Sequence, residues 1–175
     1  DGGHGRAFAD RAQYVADPDF VQPPAGSWMS VLDPAYLKSR AALIGAQSLK
    51  VAQPGQPGAL KIGFAPMPEQ PEYGTSHISI VDAHGNALAM TTTIEDAFGA
   101  RQMVKGFLLN NELTDFSFAP TGADGQPIAN RVQPGKRPRS SMAPTLVFEK
   151  NADGSRGPLL MSGGSPGGAL IIHYT

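Results

Sequence analysis

The chain has no cysteine among its 175 residues. That excludes disulfide staples, thiolate metal sites and a cysteine nucleophile, and it leaves the redox compartment open. Net charge is also nearly absent, with 14 basic residues against 15 acidic ones for a formal -1 at neutral pH. Such a balance offers no basic field for nucleic acid or an anionic membrane surface. No apolar run approaches the roughly 18 residues that a membrane-spanning helix needs. His4, His77, His84 and His173 are scattered without ligand spacing, so neither a metal nor another cofactor is expected. The opening Asp1-Gly2-Gly3-His4-Gly5 is polar and does not read as a signal peptide.

Glycine (21) and proline (16) are abundant. They cluster without repeating, which predicts a loop-rich globular chain with enough length for one real core. Residues 6–16 carry apolar positions at helical spacing, and Asp17-Pro18 stops the pattern. Residues 17–33 read as irregular. Asp33-Pro34 is a helix start, with aspartate as N-cap and proline at the first helical position, and the helix is expected to run to about Ala46. Residues 52–74, rich in proline, glycine and glutamine, read as an exposed extended tether, either an interdomain linker or a site of chain cleavage.

The tether leads into Gly74-Thr75-Ser76-His77 and the run from Thr75 to Thr93. Apolar and polar residues alternate on both sides of Ala83-His84-Gly85-Asn86, which predicts a β-hairpin. A turn centred on His84 and Gly85 sets Thr75 opposite Thr93 or Ile94. A β-branched strand residue is the ordinary role of any single threonine. The other role is a nucleophile, which a free α-amino group on the same residue could serve as base, given a cut between Gly74 and Thr75.

Further along, Gly106 to Phe116 reads as a short apolar run entering a polar cluster that contains Glu112 and Asp115, acids able to hold an ammonium. A capped helix end or turn is the alternative for that cluster. Residues 119–138 form a long Gly-, Pro- and Asn-rich loop of a kind that is often functional. In Arg137-Pro138-Arg139-Ser140-Ser141, two adjacent hydroxyls suit a carboxylate, and a solvated surface loop fits as well. Residues 145–149 and 158–161 read as a second hairpin. Gly167-Gly168 opens an apolar helix start whose backbone N–H groups could face an oxyanion, or could simply form a packing turn. That helix is scarcely begun at Thr175, so the chain is expected to be a fragment of something longer.

Taken in order, Thr75-Ser76-His77-Ile78-Ser79-Ile80-Val81-Asp82, Gly85-Asn86-Ala87, Phe98-Gly99, Leu108-Leu109-Asn110-Asn111, Pro138 to Thr145 and Gly164-Ser165-Pro166-Gly167-Gly168 resemble the γ-glutamyltransferase (γ-glutamyltranspeptidase) family of N-terminal-nucleophile hydrolases. The resemblance is strong from Thr75 to Gly168 and looser before it. It implies an α+β fold, part of a four-layer αββα sandwich with central antiparallel sheets. It implies that residues 1–74 are the tail of a large subunit with its linker, and that residues 75–175 begin a small catalytic subunit. The cut would fall between Gly74 and Thr75, and Thr75 would attack a γ-glutamyl donor such as glutathione. Water or an amino-acid or peptide acceptor would then take the acyl group.

By the same resemblance, Thr93 supports the nucleophile and Gly167 and Gly168 form the oxyanion hole. Ser140 and Ser141 bind the donor's α-carboxylate, while Glu112 and Asp115 bind its α-amino group. Glu95 stands where many members carry asparagine, and Ser76 where a second threonine is commoner. Residues 119–133 fall at the family's lid loop without a clear lid aromatic. The remaining parts of both subunits are expected as partners, and the resemblance implies a periplasmic or extracellular setting. A cephalosporin-acylase-like enzyme of the same superfamily and an uncut, non-catalytic binding module are the alternatives.

Overall fold

The computed structural model describes residues 2–47, 50–58, 63–72 and 74–175. The chain forms two compact units. One holds residues 1–70 and 116–139, the other residues 71–115 and 140–175. Among the described residues no helix is long and apolar enough to cross a membrane.

In the first unit α1 spans Gly2–Tyr14 and α2 spans Pro34–Ala41. The Asp33 carboxylate accepts from Ala35 N (2.9 Å) and Tyr36 N (3.0 Å), so the N-cap reading of Asp33-Pro34 holds. The helix is shorter than the periodicity predicts. The chain tightens past Ala41, and Arg6 captures the Leu43 carbonyl at 2.6 Å, taking it out of the helical ladder just before Gly45. Residues 17–33 contain two short 3-10 segments, Pro24–Gly26 and Trp28–Leu32.

The tether is only partly exposed. Ala65 and Met67 are buried with Ile128 in one core cluster, and Gly55 N donates to Asp10 at 2.6 Å. Residues 59–62 and 73 of the tether lie outside the described residues. The segment after residue 119 also differs from a surface loop. Ile128 and Ala129 are fully buried, Ala65 bridges to Ile128, Ser117 to Arg131 and Thr121 to Pro127, and the Lys136 ammonium reaches the Ala129 carbonyl. These single bridges bury backbone without making regular strands, so proline and glycine do not stop the segment from joining a core. Asp17 is tied to Arg137 through the backbone N–H (2.8 Å) and the guanidinium (2.7 Å). That contact holds the Asp17 carboxyl well below the usual carboxylate range.

The second unit is built on hairpins. β1 (Ser76–Val81) and β2 (Ala87–Thr92) pair antiparallel, with Ser76 opposite Thr92 and Val81 opposite Ala87. This is the register that the alternation predicts. Asp82 fastens the turn by accepting from His84 N (2.8 Å) and Asn86 N (2.9 Å), and Gly85 supplies the positive φ of 83°. A two-residue turn at Lys105-Gly106 joins β3 (Met103–Val104) to β4 (Phe107–Leu108). β5 (Thr145–Lys150) and β6 (Arg156–Gly163) form the further hairpin expected from the sequence, with an irregular register around Phe148.

β1 lies against β6, and β2 lies against β5 and β6. The chain ends in a 3-10 turn, Gly168–Leu170, and α3, Ile171–Tyr174. The architecture is mixed α+β with antiparallel sheets. Apolar side chains along the strands, among them Ile80, Val81, Leu88 and Leu160, remain exposed.

Candidate active site

Thr75 sits one residue before β1 and not within it, with a φ of +117°. For a β-branched residue this is a genuine outlier, of a kind that costs about 1–3 kcal/mol and persists only when its surroundings enforce it. Gly74 beside it has a φ of +83°, and a Cβ there would lie 1.8 Å from the Glu95 carbonyl oxygen. Only glycine fits at residue 74, so the Gly74–Thr75 peptide is clamped between a strained residue and the Glu95 backbone.

A small cavity in the second unit is lined by Glu72, Thr75, Thr93, Glu95, Glu112, Asp115, Ser140, Ser141, Met142, Gly168 and Ile171. Thus the structure brings together Thr75, Thr93, both serines and all three acids singled out in the sequence. Gly167 is adjacent in chain to Gly168 but is not among the lining residues. Glu72, Met142 and Ile171 were not found from the sequence. An acid three residues before Thr75 was the only signal that could have found Glu72. The free volume is about 20 Å³, room for about one water molecule.

Thr93 Oγ1 accepts from Glu95 N at 2.8 Å, which leaves its own O–H to donate elsewhere. Glu95 is buried at a φ of +72°, and its carboxylate accepts from Asn111 Nδ2. The same Asn111 side chain accepts from Asp96 N (2.9 Å) and donates to Thr114 Oγ1 (3.2 Å), lacing residues 95–96 to the 3-10 turn Glu112–Asp115. The cluster read from sequence as acids or a capped turn is therefore both, with Asn110 Oδ1 accepting from Glu112 N at 3.0 Å.

Burial, the neighbouring Glu112, and then Glu72 and Glu95, push Asp115 up to about 7. Burial also raises Glu112, while its hydrogen bond with Asp115 pulls it down. The two carboxyls interact, and Asp115 is the member whose protonated form the site favours more. One Glu112 oxygen, Oε1, is buried without a partner. Ser140 Oγ accepts from Met142 N at 3.1 Å in a local turn, and Ser141 is buried. At the other wall Gly168, like the adjacent Gly167, has a positive φ (55° and 138°), and a Cβ at Gly168 would lie 2.3 Å from the Glu72 carbonyl. Chemically the cavity sets a hydroxyl at a strained peptide between an acidic wall and a hydroxyl-bearing wall.

A larger cavity of about 390 Å³ lies in the first unit, between α1, α2 and the 3-10 segment before α2. Its walls are mostly apolar. Its one acid, Asp10, is already paired with Arg40 at 3.0 Å, and no hydroxyl nucleophile lines it.

A family model described as Gamma-glutamyltranspeptidase matches residues 5–175. The glutathione hydrolase proenzyme of Bacillus subtilis is 42% identical over 175 residues, covering 95% of this chain and 27% of that protein. Its counterpart from Pseudomonas aeruginosa is 40% identical over 173 residues, covering 95% and 28%. A solved γ-glutamyltranspeptidase from Pseudomonas nitroreducens, complexed with L-DON, is 40% identical, with 55% of this chain and 50% of that chain covered at a TM-score of 0.46. The chain spans little more than a quarter of the length of the curated relatives it matches.

Proposed function

From the premise that the chain belongs to the γ-glutamyltranspeptidase family, we propose that it is the part of a self-processing γ-glutamyltransferase or glutathione hydrolase that contains the cut and the nucleophile. Residues 1–74 end the large subunit and residues 75–175 begin the small one. The remainder of both subunits completes a four-layer αββα sandwich, and the exposed apolar strand faces of the second unit are surfaces for those layers.

The observation that carries this reading is the strained, glycine-specific peptide at Gly74–Thr75 lying at a cavity of acids and hydroxyls. In processing, Thr75 Oγ attacks the Gly74 carbonyl carbon. The C–N bond breaks as the C–O bond forms, and the resulting ester is hydrolysed to a Gly74 carboxylate and a free Thr75 amine. Relief of the Thr75 backbone strain favours the step. The cavity of about 20 Å³ is too small for a glutamyl group, which fits a site that opens only after the cut.

In catalysis the Thr75 hydroxyl attacks the donor's γ-carbonyl, and its own amine takes the proton. The developing oxyanion is held by backbone N–H groups at Gly167 and Gly168, a type of contact whose loss typically costs about 10²–10³-fold in kcat. The amine then protonates the leaving group, and water or an acceptor amine resolves the acyl-enzyme. Thr93 steadies the nucleophile through its remaining O–H. Ser140 and Ser141 take the donor's α-carboxylate, and Glu95, Glu112 and Asp115 take its α-ammonium. The paired serines and Asp115 favour an amino-acid-like donor such as glutathione over the bulkier amide of a cephalosporin-type acylase substrate.

The test is a gel and a γ-glutamyl anilide assay on full-length variants. Thr75→Ala should neither cut nor release aniline. Thr75→Ser should do both more slowly, since it keeps the hydroxyl and loses the methyl that fixes χ1. A Thr75→Ala protein that still splits after residue 74 would refute the assignment.

A further inference from the structure

We propose that His77 is a positioning residue, the hub of a hydrogen-bond chain that fixes the spacing between the Thr75 strand and the glycine loop 163–168. The inference rests on the reading of Thr75 and of Gly167-Gly168 given above, and adds to it a residue that touches neither donor nor reacting atoms.

Two independent features place His77 in this role. The first is steric. A Cβ at Gly164 would lie 2.2 Å from His77 Nδ1 and 2.3 Å from Cε1. The imidazole occupies the volume that any other residue at 164 would need for its side chain, so ring and loop are fitted to each other. The second is the chain of hydrogen bonds. His77 Nδ1 is 2.8 Å from Thr91 Oγ1, and Nε2 is 3.1 Å from Ser79 Oγ. Ser79 Oγ donates onward to the Ser162 carbonyl at 3.2 Å, and Ser162 Oγ donates to the Leu88 carbonyl at 3.1 Å.

Proton accounting fixes the direction of the chain. The single Ser79 hydroxyl proton is used on Ser162, so Ser79 accepts from His77 Nε2–H. The neutral ring then has its lone pair at Nδ1, and Thr91 O–H donates to it. The chain runs from β2 through the ring to β1 and on to β6, which it reaches two residues before Gly164, and Ser162 Oγ returns it to β2 at Leu88. Its β1 member stands two residues after Thr75, and its β2 member two residues before Thr93. A hydrophobic side chain at 77 would fill the same space without tying three strands together.

Acyl transfer is sensitive to such spacing, since a misplacement of about 1 Å costs on the order of 10²-fold. None of the proposed donor-binding acids and serines is a hydrogen-bond partner in this chain, so the loss belongs in kcat and not in KM.

The experiment uses the full-length protein, with kcat and KM measured on cut enzyme using a γ-glutamyl anilide. His77→Ala should lower kcat by about ten- to a hundredfold and leave KM within about threefold. His77→Asn, whose amide lies near the position of Nδ1, should recover part of the loss. Thr91→Val keeps the shape of the strand and the ring in place but removes the donor, and should lower kcat severalfold. It carries the test should His77→Ala fail to fold. Wild-type kcat in both His77→Ala and Thr91→Val, or a loss confined to KM, overturns the proposal. Thr75→Ala separates the two levels. If Thr75→Ala is inactive while the His77 and Thr91 variants are normal, only the positioning role fails. If Thr75→Ala is active, the underlying reading fails and this one with it.

Discussion

On the proposed reading of the acidic wall, the raised Asp115 carboxyl predicts that ligand binding by the cut enzyme depends on pH. In the uncut chain burial and the neighbouring acids push Asp115 up to about 7, against an ordinary aspartate value of about 3.9. A donor's α-ammonium bound beside it stabilises the charged form and returns it toward the ordinary range. Between the two values each unit of pH below the midpoint then weakens binding about tenfold, or about 1.4 kcal/mol. Glu72 is one of the acids that raise Asp115, behind burial and Glu112. On the proposed reading the cut severs the chain two residues after Glu72, and withdrawal of Glu72 from the cavity would lower the midpoint in the cut enzyme. Competitive inhibition by L-glutamate against a γ-glutamyl anilide is the assay, because the inhibitor's own ammonium and carboxylates stay charged from pH 5 to 8. Its Ki should rise by about ten- to a hundredfold from pH 8 to pH 5. Glu112→Gln, which removes the nearest like charge, should move the midpoint to lower pH. A Ki that is flat across this range would show that Asp115 does not meet the ammonium, and would remove the acidic wall from the donor site.

Gly74→Ala should block processing, because its Cβ would strike the Glu95 carbonyl, and a gel of the full-length variant checks this. Gly168→Ala should slow processing, since it combines a positive φ with a clash against the Glu72 carbonyl. Asp115→Ala in mature enzyme should raise KM for γ-glutamyl donors strongly, by an amount equivalent to about 2–5 kcal/mol if the site is dry. Arg137→Ala should lower the melting temperature at pH 7. The folded-state titration of Asp17 lies below its unfolded value, so this contribution is present above about pH 4 and is lost as pH falls through the acid range. Melting curves of both proteins should therefore converge in acid.

Local rules made much of the fold legible. The β1–β2 register follows from alternation around a glycine turn, and the start of α2 from Asp33-Pro34, because both depend on residues within one turn or one hairpin. Burial of the tether and of residues 119–138 was not legible. Ala65, Met67, Ile128 and Lys136 are placed by isolated long-range bridges, and a proline- and glycine-rich sequence looks the same whether or not such bridges form. At the candidate site, the spacing of motifs pointed to the residues but not to their state. Nothing in Glu112-Leu113-Thr114-Asp115 reveals that Asp115 is pushed up, since that depends on burial and on Glu72 and Glu95 being folded against it. Nor does the sequence show that the His77 ring occupies the volume vacated by Gly164.

The clearest conflict between local preference and structure is at Thr75. Six described residues other than glycine have positive φ: Ala25, Lys50, Thr75, Glu95, Arg101 and Lys105. Thr75 is the one β-branched residue among them, and its intrinsic preference is for the extended backbone that begins at Ser76. Two of the six, Thr75 and Glu95, line the same cavity, and the Glu95 carbonyl is the group that forbids a side chain at Gly74. The strain is thus imposed from across the site and concentrated on one peptide. Violations of local rules are expected where function requires them. Stored strain of about 1–3 kcal/mol, if fully released in the transition state, accelerates cleavage by about 5- to 160-fold. That is too little to cut a peptide bond by itself. The hydroxyl and its surroundings must supply most of the barrier lowering, and the strain selects which peptide they act on.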